Sequence, residues 1–364
     1  MLYTKEELCL IWLDSFEGLE YKHKNTLINL AEGEINAKSI VEKGKDYILT
    51  TLDANVYSTL KSALTREYID FVLQGLEKKG IRCVTILSKD YPESLKNTKI
   101  PPIVLYAKGD VSLLKSDCFC IVGSRKSLPL SISLTKDYVT SLSKAGLTLV
   151  TGIAQGVDET VLKSALECNG KVISVIAGGF NNIHPKANSS LLERVEENGL
   201  AISEYPPTVA PMPFMFPVRN RIFAGLSKGV LVVSAGKKSG TLWTADYAVE
   251  YGKDVFAIPY SVGIASGEGC NNLIKQGANL TDTPKDILSF YGLEERVTVA
   301  QDYTKEEREV LKILSNGQLH VEKISASLNK RAFEIMPILS ILEIKGAIAK
   351  EGNLYQLTRN YSEG

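Results

Sequence analysis

Histidine is scarce in this 364-residue chain: His23, His184 and His320 are the three, and they lie far apart. The six cysteines, at positions 9, 83, 118, 120, 168 and 270, never fall in C-x-x-C spacing. These scarcities leave zinc without a ligand set and the chain without a disulfide framework, so the cysteines read as core thiols. An excess of charge is missing too. The 42 basic and 42 acidic residues balance, so nothing global draws the chain to nucleic acid or to an acidic membrane, and any polyanion site must be local. No apolar run approaches the length of a membrane span, and Met1-Leu-Tyr-Thr-Lys-Glu-Glu-Leu8 lacks the basic-then-apolar order of a secretion signal, which leads to the expectation of a cytoplasmic protein with no membrane partner. Two nucleotide signatures are also wanting. No G-x-G-x-x-G leads to an acidic ribose partner, and Lys237-Lys-Ser-Gly-Thr241 does not complete a G-x-x-x-x-G-K-[ST] loop. NAD binding and ATP hydrolysis are therefore not expected, and no cofactor is.

What is present is ample core material: 44% of the residues are hydrophobic, and the length suggests two or three domains. Residues 1–79 read as helices (Thr4–Leu13, Lys22–Ala31, Ala37–Tyr47, Arg66–Lys79), the last with Ile69, Val72, Leu73 and Leu76 at helical spacing. A small all-helical domain, of SAM or helix-hairpin-helix type or simply a structural cap, is expected there. Residues 80–292 change character. Short apolar runs at Cys83–Leu87, Ile103–Tyr106, Cys118–Val122, Leu147–Val150, Val172–Ile176, Ala201–Ser203, Val230–Val233 and Val255–Ile258 alternate with amphipathic segments, the pattern of an α/β fold with a mostly parallel sheet covered by helices. A polar linker is expected at 293–302. Residues 303–360 then give three helices and two strands about Glu351-Gly-Asn353, the order of a winged helix. Its third helix, Ala332–Lys345, is apolar and acidic, so docking to protein and contact with DNA both stand open.

Strand ends carry the chemistry. Between Tyr205 and Ala245 there is no Asp or Glu, and between Cys118 and Lys136 none either. At the first of these ends Gly123-Ser124-Arg125 places a guanidinium where a helix begins, suited to a phosphate or equally to a capping turn open to solvent. Gly152 and Gly156 allow close backbone approach beside Asp158, which reads as structural. His184 reads as a loop residue, having no nucleophile or metal to serve. The stretch Phe214 to Arg221 joins aromatics fit to stack unpaired bases to two arginines flanking Asn220. Arg219 and Arg221 diverge by about 160° on a helix, so one faces a ligand while the other anchors the loop. Lys237, Lys238, Ser239, Gly240 and Thr241 make a further phosphate-suited turn. Several such turns along one edge, with aromatics and without a catalytic group, suit a strand of nucleic acid better than a mononucleotide.

In order and spacing over about residues 80–290, Gly123-Ser-Arg125, Thr151-Gly-Ile-Ala-Gln-Gly-Val-Asp158, Ser203-Glu-Tyr-Pro206, Phe216-Pro-Val-Arg-Asn-Arg-Ile-Phe-Ala-Gly-Leu-Ser227, Ser239-Gly-Thr241 and Val255-Phe-Ala-Ile-Pro259 resemble the DNA-processing protein A family, DprA or Smf. Asp90-Tyr-Pro-Glu-Ser-Leu95 and Pro101-Pro-Ile-Val-Leu-Tyr-Ala-Lys-Gly109 fit the same pattern. The resemblance implies an extended Rossmann-like fold that binds single-stranded DNA without hydrolysing it, forms a homodimer and loads the RecA recombinase during natural transformation. It places the DNA groove on Gly123, Ser124, Arg125, Gly152, Gly156, Arg219, Asn220, Arg221 and Ser239 to Thr241, and it fits both flanking domains. Two positions depart from the family pattern: His184-Pro185 stands where tyrosine-proline is usual, and Tyr260 where glycine is usual. The rival class is a nucleotide-processing phosphoribohydrolase on a related sheet. It would need a glutamate adjacent to the Ser-Gly-Thr loop, and Leu242-Trp-Thr-Ala-Asp246 lacks one.

Overall fold

The computed structural model describes residues 3–17, 19–33, 35–295, 303–315, 317–345 and 347–358. Contacts divide the chain into two compact units, Met1–Leu293 and Glu294–Gly364.

The first unit is built on a nine-stranded sheet: β1 (Arg82–Thr85), β2 (Val104–Gly109), β3 (Cys118–Gly123), β4 (Thr148–Thr151), β5 (Val172–Ile176), β6 (Leu200–Ser203), β7 (Gly229–Ser234), β8 (Asp254–Ala257) and β9 (Asn279–Leu280). The spatial order is β1-β2-β6-β5-β4-β3-β7-β8-β9. All neighbours from β6 to β9 pair in parallel, whereas β1 with β2 and β2 with β6 are antiparallel. The eight apolar runs of the sequence became β1–β8; β9, only two residues long, carries no readable alternation. Successive residues of a strand face opposite sides, so Cys118, Cys120 and Val122 enter one core while Phe119 and Ile121 enter the other. Both faces are covered, which is why these strands read as continuous apolar runs.

The chain crosses from β3 outward to β4, β5 and β6, then returns to place β7 on the other side of β3. In such doubly wound sheets the crevice outside the carboxyl ends of the strands at the reversal is where ligands bind. Here that point lies between Gly123 and Ser234, which are register partners.

Helices Lys5–Asp14, Tyr21–Leu30, Ala37–Lys43, Lys45–Tyr47, Ala54–Ser62 and Arg66–Glu77 precede the sheet. Ala54–Ser62 is not apparent from the periodicity because its one fully buried position is Leu60. Trp12, Leu27, Ile40, Ile48 and Leu60 give these helices a core of their own, while Leu10, Ile11 and Leu76 pack on Cys83, Val104 and Tyr106 of the sheet edge. Polar bonds lock the same seam. Asp14 Oδ1 takes a bond from Lys24 Nζ at 2.6 Å and Oδ2 one from the Tyr106 hydroxyl at 2.9 Å, with all three groups buried.

The second unit has helices Lys305–Leu314, Val321–Leu328 and Ala332–Ile344 and an antiparallel sheet of three short strands, Leu319–His320, Leu354–Leu357 and Ile348–Glu351 in spatial order. Val310, Leu314, Ile324, Ile335, Leu339 and Tyr355 form its core. Burial opposes ionisation of Glu307, but bonds from Lys345 at 2.8 and 2.9 Å and from Thr304 hold its carboxyl below the ordinary carboxylate range. The linker expected at 293–302 falls largely on 296–302, outside the described residues.

Asp14→Ala removes one partner of a buried ion pair and strands the Lys24 ammonium. Such losses cost about 3–5 kcal/mol, and urea unfolding of the full chain will show the midpoint falling accordingly.

Candidate functional site

A cavity of 530 Å³ opens at the carboxyl ends of β3 and β7. Its rim is the turn Gly123-Ser124-Arg125-Lys126 on one side and Ser239-Gly240-Thr241 on the other, and helix Met215–Leu226 forms its floor through Phe216, Arg219, Asn220 and Phe223.

Hydrogen bonds hold each piece. The Ser124 N–H donates to Ser234 Oγ at 3.2 Å, binding the β3 turn to the end of β7, and Ser127 Oγ closes that turn onto the Ser124 carbonyl at 2.7 Å. The Thr241 hydroxyl donates to the Gly123 carbonyl at 3.2 Å, and Asn220 Nδ2 donates to the Gly240 carbonyl at 3.2 Å. The two turns and the floor helix thus constrain one another. Among the described residues no acceptor takes the N–H of Arg125 or of Gly240, and both turns precede helices, Pro129–Lys144 and Leu242–Glu250. Unpaired amides ahead of helix amino termini form an anion cradle.

Arg125 is exposed, its guanidinium over the Phe216 ring at 5.3 Å, and the His184 ring meets the same phenyl edge-on at 5.8 Å. Arg219 is buried. Its Nη1 donates to the Val175 carbonyl at 2.7 Å, its Nε to Asn220 Oδ1 at 3.2 Å, and its Cζ lies 4.3 Å from the centre of the Phe223 ring. Burial pulls its guanidinium down to about 10, with the Asp158 carboxylate resisting, so it stays charged at neutral pH. Burial conversely raises the Asp158 carboxyl above its ordinary range, with the Arg219 charge opposing. Asp158 lines the cavity, almost wholly buried, and accepts the Ala154 N–H at 3.4 Å. It is a support for the floor, as its place in the sequence suggests.

Glycines make this packing possible. A Cβ on Gly152 would meet Asp158 Oδ2 at 2.5 Å and Arg219 Nη1 at 2.8 Å. Gly156 adopts φ +84°, and a Cβ there would meet the Ser124 and Arg125 carbonyl oxygens at 2.5 and 2.7 Å. Neither lines the cavity; both let its floor and rim approach.

Besides Gly152 and Gly156, four more residues expected in the groove do not line this cavity. Arg221, 2% exposed, turns to the opposite side of the floor helix and pairs with Glu204, because two residues along a helix reverse the side-chain direction. Phe214, at the start of that helix, lines a separate 610 Å³ cavity together with Arg221 and residues of the amino-terminal helices. Lys237 and Lys238 are exposed on the turn before Ser239 and do not line the cavity. Conversely, Lys126 and Trp243 line it and were not singled out by the sequence. A large aromatic two residues past a phosphate-suited Ser-Gly-Thr turn was the available signal. Tyr260, where the family pattern has glycine, bonds through its hydroxyl to the Val233 carbonyl and Ser131 Oγ, both at 2.8 Å, and fills space that Gly267 leaves free.

The family model described as DNA recombination-mediator protein A matches residues 82–292. The DNA processing protein DprA of Bacillus subtilis is 37% identical over 249 residues, spanning 68% of this chain and 83% of that protein. The X-ray structure of DNA processing protein A from Streptococcus pneumoniae superposes with a TM-score of 0.68 at 31% identity, covering 79% of this chain and 98% of its own. The corresponding Helicobacter pylori structure, described by its single-stranded DNA binding mode, superposes with a TM-score of 0.53 at 29% identity over 58% of this chain and 95% of its own.

Gly156→Ala forces a side chain against two backbone carbonyls at a positive φ and will lower stability by about 1–3 kcal/mol. Gly240→Ala, with nothing within 4 Å of the added carbon, will stay within about 0.5 kcal/mol of the parent. Denaturant unfolding of the two variants side by side reads the difference.

Proposed function

The chain belongs to the DNA recombination-mediator protein A family, and on that premise we propose that it binds single-stranded DNA without cleaving it and delivers the strand to a RecA-type recombinase. The cavity at the sheet's reversal carries this reading. It pairs free amides and the exposed Arg125 and Lys126 with aromatic rings, and among the described residues the one carboxylate lining it, Asp158, is buried and faces the Arg219 charge. A backbone-tracking cationic groove with stacking surfaces suits an unpaired strand, whose bases are free to leave their neighbours.

The phosphoribohydrolase alternative would draw on Asp246 or Glu250. Neither lines the cavity, and Glu250 pairs with Lys99 at 3.3 Å. A homodimer acting in the cytoplasm on incoming DNA completes the proposal, with the helical segment 1–79, the sheet region 80–292 and a winged-helix module at 303–360 as its three parts. The third helix of that module exposes Phe333, Met336, Ile341 and Ile344, which favours a protein partner over a phosphate backbone.

A gel-shift titration against single-stranded and duplex oligonucleotides tests the reading. The wild-type chain will bind the single strand more tightly, with affinity falling as salt rises. Arg125→Ala will weaken binding to all sequences alike and reduce the slope of log affinity against log salt by about 0.7, the loss of one phosphate contact on a single strand. Wild-type affinity and slope in Arg125→Ala would remove the groove from the proposal.

A further inference from the structure

Among the described residues three aromatic side chains line the cavity, and two are already engaged. Phe223 lies under the Arg219 guanidinium at 4.3 Å, and Phe216 under that of Arg125 at 5.3 Å with His184 on its edge. Trp243 is different. It is 53% exposed, stands in the first turn of helix Leu242–Glu250 two residues past Thr241, and among the described residues has no ring, cation or hydrogen-bond partner. Leaving about half of so large an apolar side chain in water forgoes the free energy that its burial would supply. The neighbours that hold the Ser239-Gly240-Thr241 turn are Asn220 and Gly123, so Trp243 is not needed to keep that turn in place.

We infer that Trp243 is the stacking platform for one unpaired base, and that it sets the preference for single over double strands. This rests on the strand-binding reading above. The indole lines the same cavity as Gly240, whose amide is unpaired among the described residues, and Arg125, so a strand whose phosphates meet those groups brings its bases into the opening that the indole borders. In a duplex both faces of every base are covered by its neighbours, and none is free for Trp243. In a single strand the base can leave the stack, and base–aromatic stacking tolerates any sequence because every base has a π-face.

The chain contains two tryptophans, which makes the idea directly measurable. Trp12 is 3% exposed in the core of the amino-terminal helices, its Nε1 donating to the Ala63 carbonyl at 2.9 Å. Indole fluorescence of the full chain, titrated with an oligothymidylate and with a blunt duplex of equal length, therefore reports on Trp243. Quenching by the single strand and not by the duplex is expected. Trp243→Ala should lose the quenching and weaken single-strand binding roughly 5- to 150-fold, the range for one lost base stack, while duplex affinity stays unchanged. Trp243→Phe should retain most of the affinity. Thermal melting of both variants controls for folding, and the phenylalanine variant keeps the test alive should the alanine variant melt early. Unchanged single-strand affinity in Trp243→Ala, or equal losses for single strand and duplex, overturns the inference. Should the wild-type chain bind strands and Arg125→Ala weaken it while Trp243→Ala does not, only the role of Trp243 falls. Absence of strand binding by the wild-type chain overturns both.

Discussion

Arg219 spends its guanidinium inside the protein. One nitrogen bonds the Val175 carbonyl at the β5 end, another bonds Asn220, and its face rests on Phe223. A buried cation is tolerable only when its donors are met and a counter-charge is near, and the Asp158 carboxylate supplies that charge from the helix after β4. The floor helix is thereby tied to two strand ends at once. Asn220, held by Arg219, spends its amide on the Gly240 carbonyl, so the placement of the Ser-Gly-Thr turn follows from the same buried charge. Gly152 has no side chain because the space belongs to that pair.

The exposed chemistry is layered on this support. Arg125 and Lys126 sit on a turn whose geometry comes from serine hydroxyls and from the close passage of Gly156, not from their own charges. The buried arginine therefore shapes the cavity, and the exposed one meets the solvent from which a ligand arrives. A polyanion reaching Arg125 finds a cation whose aromatic partner is already in place, which limits the ordering that binding must still supply.

Much of the architecture was legible in the linear order of residues. Strands buried on both faces must be apolar throughout, so β1–β8 stand out as runs, and the amphipathic segments between them show their helices. The helix Ala54–Ser62 and the strand β9 did not stand out, since one buried leucine and two paired residues leave no period to detect. The turns Gly123–Arg125 and Ser239–Thr241 were recognisable as anion-suited, and the structure brings them to one cavity. Phe214, Arg221, Lys237 and Lys238 shared their acid-free stretch without sharing their location. Composition along a chain reports local charge but not direction, and a helix rotates each residue about 100° from the last.

Residue type and spacing alone determined the α/β class and the position of the strand ends, because these depend on periodicity and on local backbone chemistry. Only the tertiary structure decided that Arg219 lines the cavity while Arg221 pairs with Glu204, that Asp158 is a buried counter-charge, and that Trp243 stands half-exposed at the rim. Those outcomes depend on which elements pack against which face of a helix. That is a property of contacts between residues far apart in the chain, and no local pattern encodes it.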